Sequence, residues 1–208
     1  MNYKYYALKL AVICVIAFVL QLIIPGFTEL FLLDKTKYLE IWRFATAMFL
    51  HGGATHLLYN MFALILFGSI VEGVIGSRKF LILFFVTGIF ANIISINFYS
   101  SSLGASGAIM GVIGALIIVR PMMTVWAFNM PMPMFVAGIL WAAGDIIGAV
   151  GFLTGNPLNN TGNIAHLSGM GFGLIIGIFF RDWRLEKKQG RLEIPEHYAR
   201  KWEDAYMR

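Results

Sequence analysis

Four polar side chains in a largely apolar chain are of the types that acyl-transfer chemistry requires. Ser106 lies in the stretch Gly104-Ala105-Ser106-Gly107, inside a run from Phe80 to Val119 that holds no charged residue. His166 stands in a second apolar run, and His56 and Asn60 stand four residues apart in a third. A serine hydroxyl becomes a useful nucleophile when a neutral imidazole beside it accepts its proton. At a helix N-terminus it also has backbone N–H groups nearby to receive an oxyanion. His56 and Asn60, on one helix face by their spacing, would add side-chain donors. Singly, each has a plainer use: a hydroxyl bonded one turn back, a packing histidine or ion ligand, an interhelical hydrogen-bonded pair. Their combination depends on the elements that carry them.

Those elements are apolar spans. The 208 residues are 59% hydrophobic and only 13% charged, with a mean hydropathy of +0.75. That composition excludes a soluble protein and fits several runs of the roughly 20 residues a bilayer-crossing helix needs. Helices and closed barrels alone cross lipid, and the runs lack the alternation of barrel strands. The fold class is therefore all-α, a polytopic membrane bundle. Six spans are predicted: Tyr6 to Ile24, Thr55 to Val74, Phe80 to Phe98, Ser106 to Val119, Met134 to Leu153 and Asn163 to Phe180. The first could be a signal peptide, but no small-residue cleavage site follows it. Gly26 to His51 is too charged to span and too rich in Phe, Leu and Trp to leave the interface; Trp42-Arg43 there suits a headgroup anchor. Arg120 to Pro133, with three prolines, reads as a loop, and Thr154 to Gly162 as a turn. The division expected is a transmembrane domain over residues 1–180 and a basic cytoplasmic tail over 181–208.

Charge orients the bundle. Eight of the 16 Lys and Arg fall at or after Arg181, which marks a cytoplasmic, lipid-facing tail rather than a nucleic-acid site. The odd loops hold only Lys35, Lys37 and Arg43, so both termini are placed in the cytoplasm. Spans 2, 4 and 6 then start outside and run inward. At about 1.5 Å rise per residue, His56, Asn60, Ser106 and His166 all fall within roughly two turns of the outer boundary. Gly107 and Gly111 on span 4, and Ala165, Gly169, Gly173 and Gly177 on span 6, form small-residue stripes that permit close approach. Facing stripes would bring hydroxyl and imidazole within hydrogen-bond reach.

Other polar residues read as bland. Asp145, in the outer half of span 5, is tempting as a third member beside Ser106 and His166. Glu72 can pair with Arg78 or Lys79, His51 lies in a loop, and His197 is in the tail. Cys14 is the single cysteine, so no internal disulfide forms. The serine motif lacks the glycine two places on that the soluble-hydrolase elbow wants. His51 to His56 lacks the glutamate and spacing of a zinc-protease helix.

From Trp42 to about Gly177 the sequence resembles the rhomboid family of intramembrane serine proteases. Trp42-Arg43 is similar to its loop-1 pair, His56-Leu57-Leu58-Tyr59-Asn60 to its His-x-x-x-Asn, Gly104-Ala105-Ser106-Gly107 to its Gly-x-Ser-Gly, and Ala165-His166-Leu167-Ser168-Gly169 to its last-helix signature. The resemblance implies a Ser106–His166 dyad without an acid. It implies an oxyanion hole of His56, Asn60 and the Ser106 N–H, room at the nucleophile from Gly104, and the minimal six-helix form. Substrates would be transmembrane helices of other proteins, entering laterally, with span 5 and the loop over the site as gate candidates, and cleaved near small residues in a locally unwound segment. No metal or organic cofactor is implied, and no nucleic-acid partner; membrane lipids surround the chain, and oligomeric state is left open. The short basic N-terminus points to a prokaryotic cell membrane. Two rivals stand beside this: a catalytically silent rhomboid-like scaffold that binds membrane helices, and a small transporter or channel. The scaffold would usually lack the nucleophile or base. The transporter would carry charged pairs deep in the bilayer.

Overall fold

The computed structural model describes residues 3–157 and 162–189. Its helices follow the hydropathy of the chain closely. α1 (Tyr6–Ile23) stops at Pro25-Gly26, where Gly26 turns with φ +82°. α4 (Ala54–Ala63), a π turn (Leu64–Gly68) and α5 (Ser69–Ile75) make one continuous rod. α6 (Ser77–Ser95), α7 (Ser106–Val119), α8 (Met134–Leu153) and α9 (Asn163–Gln189) complete the set. Among the described residues, five helices are long and apolar enough to cross a bilayer; α7 is equally apolar but has 14 residues. The chain is a multi-pass helical membrane protein. Its outward side chains are apolar, as Leu22, Phe62, Ile139 and Phe179 show, because lipid rather than water is their solvent.

α7 sits at the centre, packed mainly against α9 and α6. The stripes seen in the sequence do face each other. A methyl group at Gly169 would overlap the Gly107 carbonyl, and one at Gly173 would overlap that of Gly111. On the other side of α7, a methyl at Gly111 would strike Thr87 of α6. Phe80, Phe84, Leu83 and Leu116 fill the centre of the bundle and are fully buried.

Several expectations need correction. The loop from Gly26 to His51 contains α2 (Phe27–Phe31), a short strand β1 (Leu33–Asp34) and α3 (Arg43–Thr46). Arg43 is no headgroup anchor. It is 2% exposed, pairs with Glu40 at 2.7 Å, and donates to the carbonyls of Glu29 (2.7 Å) and Leu32 (2.9 Å), tying the loop to itself. Glu72 does not pair with Arg78 or Lys79. It accepts from the Tyr6 and Ala7 N–H groups, both at 3.0 Å, and from Ser77 Oγ at 2.6 Å. The carboxylate thereby satisfies donors that the start of α1 cannot satisfy internally. α6 begins three residues before Phe80 and ends at Ser95.

The three-proline loop contains a hairpin, β3 (Thr124–Ala127) with β4 (Met130–Pro133), turning at Phe128 and Asn129, both with positive φ. Such a two-residue turn matches strand twist, and prolines are tolerated on an edge strand. α9 runs past Phe180 to Gln189. Residues 158–161 of the predicted turn, and residues 190–208 with His197, lie outside the described residues.

Candidate active site

Ser106 is the first residue of α7, and the loop before it is pinned on two sides. β2 (Ser101–Ser102) pairs antiparallel with β1, Leu33 opposite Ser102 and Asp34 opposite Ser101. The Gly104 N–H donates to the Ala47 carbonyl at 2.9 Å. Gly104 has φ +123°, a region side chains avoid, and a Cβ there would lie 2.8 Å from His56 Cε1 and 3.8 Å from Ser106 Oγ. The glycine leaves room between the serine and the His56 ring.

A cavity of about 870 Å³ opens here, lined by Ser106, His166, His56, Asn60, Gly104 and Tyr99 among others. The four residues singled out by type therefore meet at one place. Ser106 and His166 both line it, but no hydrogen bond joins them in this geometry; catalytic hydrogen bonds often close only on substrate binding.

The oxyanion candidates have identifiable donors. The Gly52 N–H points at His56 Nδ1 at 3.4 Å, which leaves Nε2 as the protonated nitrogen. That nitrogen is the one near Gly104: a Cβ there would lie 3.0 Å from it. Asn60 is 6% exposed, and its Nδ2 has no hydrogen-bond partner among the described residues. A buried amide N–H without an acceptor costs on the order of 1–3 kcal/mol, so it is kept for something.

Two residues were undervalued in the sequence. Asp145 Oδ1 lies 3.0 Å from His166 Nδ1. His51, read as a loop residue, is 1% exposed and meets the His56 ring edge-on with centroids 5.2 Å apart. Burial, aided by the charge of His56, pushes its pKa from the ordinary 6.5 down to about 4. Gln21 of α1 clamps its backbone, accepting from the His51 N–H at 2.9 Å and donating to its carbonyl at 3.2 Å. Neither role leaves a local sequence signal. The first needs the α8–α9 contact, the second the packing of α1 on the loop.

A second opening, about 540 Å³, runs sideways from the same serine and histidine between α4 and α8. Phe62, Phe67, Met110 and Trp141 line it, and Phe67 and Trp141 meet edge-on across it at 5.6 Å. Among the described residues no group of His, Cys, Asp and Glu is arranged to hold a metal ion.

Comparison with known proteins gives a consistent picture. The family model described as "Rhomboid domain" matches residues 38–183. The chain is 33% identical over 140 residues to RHOMBOID-like protein 6, mitochondrial, of Arabidopsis thaliana, covering 66% of this chain and 43% of that one. It is 29% identical over 188 residues to rhomboid protease GlpG of Haemophilus influenzae, covering 86% of this chain and 92% of that one. Rhomboid protease GluP of Bacillus subtilis is 45% identical over 82 residues, 38% of this chain and 16% of GluP. The chain thus spans less than half of the plant relative, about a sixth of GluP and nearly the whole of GlpG.

Proposed function

The chain belongs to the rhomboid family, and from that premise we propose that it is an intramembrane serine endopeptidase using Ser106 as nucleophile and His166 as base. One observation carries the reading: the cavity that Ser106 and His166 share also holds the unpartnered, buried amide of Asn60. A silent scaffold has no need of an orphaned donor beside a serine, whereas a preorganised donor aimed at developing charge stabilises the transition state.

His166 takes the Ser106 proton on Nε2, and the serine oxygen attacks a substrate peptide carbonyl. The resulting oxyanion is received by the Ser106 backbone N–H, His56 Nε2 and Asn60 Nδ2. Collapse expels the amine, which leaves with the proton from His166, and water then hydrolyses the acyl-enzyme by the same steps in reverse order. The chemistry asks for no cofactor. Substrates are transmembrane helices of other proteins, reaching the serine through the opening between α4 and α8 and unwinding there, since a helical carbonyl is already hydrogen-bonded. Six spans, both termini in the cytoplasm of a cell-membrane protein, and a site toward the outer leaflet belong to the same proposal, supported by the distribution of Lys and Arg.

The test is cleavage of a single-span substrate by the purified full chain in liposomes, beside Ser106→Ala and His166→Ala. Both variants should lose cleavage while keeping the wild-type melting temperature. Cleavage by Ser106→Ala would overturn the mechanism. A fluorophosphonate probe should label wild type at Ser106, and its failure to do so would favour the scaffold.

A further inference from the structure

The two-residue turn of the β3–β4 hairpin holds an unusual residue. Both turn positions have positive φ, Phe128 at +53° and Asn129 at +61°, the geometry of a type I′ turn. Asparagine accepts that conformation readily, whereas a bulky aromatic adopts it at a steric cost. Burial does not account for the exception, because Phe128 stays 59% exposed. Its ring has instead a particular address. It tilts against Trp141 of α8 with centroids 6.4 Å apart, and Trp141 meets Phe67 of the π turn edge-on at 5.6 Å. All three rings line the sideways opening that also holds Ser106 and His166.

That opening is one continuous groove. Ser106 stands at one end, and Ile109, Met110 and Ile113 of α7 form its back wall. At about 1.5 Å per residue, Ile113 lies about 10 Å along the helix from the serine. Phe128 comes from the connection beyond the far end of α7 and closes the groove there. The hairpin is fastened at its foot. The Met134 N–H donates to the Met123 carbonyl at 2.8 Å, and the Phe135 N–H to that of Pro121 at 3.1 Å, two donors that the start of α8 cannot satisfy internally. A ring on so short a turn, tied to a helix start, has little freedom to step aside.

We propose that Phe128 is a specificity-determining residue that forms the inner wall of the groove and admits only small side chains at the substrate position seated there, about seven or more residues inward of the scissile bond. This rests on the Ser106–His166 reading above. A substrate helix whose carbonyl reaches the serine lays its inward, still helical part along Ile109 to Ile113, because the groove runs from one to the other. Glycine or alanine passes the ring, and tryptophan collides with it.

A tryptophan scan tests this with the purified full chain in liposomes and an alanine-rich single-span substrate. One Trp is placed in turn at each position from about five to about twelve residues inward of the cleavage site. Wild type should show a local minimum at one or two positions, where kcat/KM falls roughly tenfold below that of the Trp-free parent. Phe128→Asn and Phe128→Gly remove the ring with residues suited to positive φ, so both should keep or raise the melting temperature. In each variant the ratio of kcat/KM for those Trp substrates to that for the parent should return to within about twofold of unity. A flat scan in wild type, or a minimum that survives both variants, would overturn the proposal. So would a change uniform along the scan, which would mean that the ring only holds α8 in place. Cleavage retained by Ser106→Ala would instead overturn the reading beneath it.

Discussion

At the α7–α9 contact, a methyl group added to Gly169 or Gly173 would overlap a backbone carbonyl, whereas one added to Gly144 of α8 would meet nothing within 4 Å. The difference runs through the whole of these elements. Ten of the 14 residues of α7 are buried, but only 22% of the span of α8 is. Ser106 and His166 are thus set by backbone against backbone, which no rotamer can relax. Asp145 is carried by a helix that touches the bundle over a few residues near Gly148 and at the foot of the hairpin. On the proposed function, fixed distance is built where two reacting groups meet, and looser contact where a substrate enters.

The comparison can be broken most severely at the seam. Gly173→Val has no space to relax into and should cost above about 3 kcal/mol or prevent folding, seen as lost monodisperse protein or a collapsed melting curve. A well-folded Gly173→Val enzyme would refute the view that the seam fixes the site. Next in size, Asn60→Ala should lower kcat by about 10²–10³-fold with no loss of melting temperature, since its Nδ2 has no partner to lose among the described residues.

A smaller effect is expected at His51. Its folded pKa, about 4, lies below the unfolded 6.5, so between those values the unfolded chain binds a proton that the folded chain refuses. Stability should be full above about pH 6.5 and fall as pH drops toward 4. In His51→Phe the melting temperature should fall less steeply over that window. Smallest of all, Gly144→Ala should leave the melting temperature unchanged, and a large loss there would mean that α8 is packed as tightly as α9.

The helices α7 and α8 and the meeting of the glycine stripes were legible because lipid demands apolar runs and close approach demands small residues. Both signals are local in sequence. Nothing local in the sequence marks the neighbour of Asp145, which lies 21 residues away, and the seating of Gly148 on the Asn163 side chain of α9 tells which face of α8 is inward. Arg43 read as a surface cation because sequence shows its charge but not the two carbonyls waiting for it. The hairpin was hidden by its own prolines, which usually break strands but here occupy an edge.

The brevity of α7 has a last consequence. Fourteen residues rise about 21 Å, against about 30 Å of hydrocarbon. With its C-terminal end at one boundary, the helix stops about 9 Å short of the other, and Ser106 stands at the bottom of that shortfall. The missing turns act as a plumb line. On the proposed function they set the depth at which a helix entering sideways must unwind to bring its backbone to the serine, and so how much of any passing helix stays out of range.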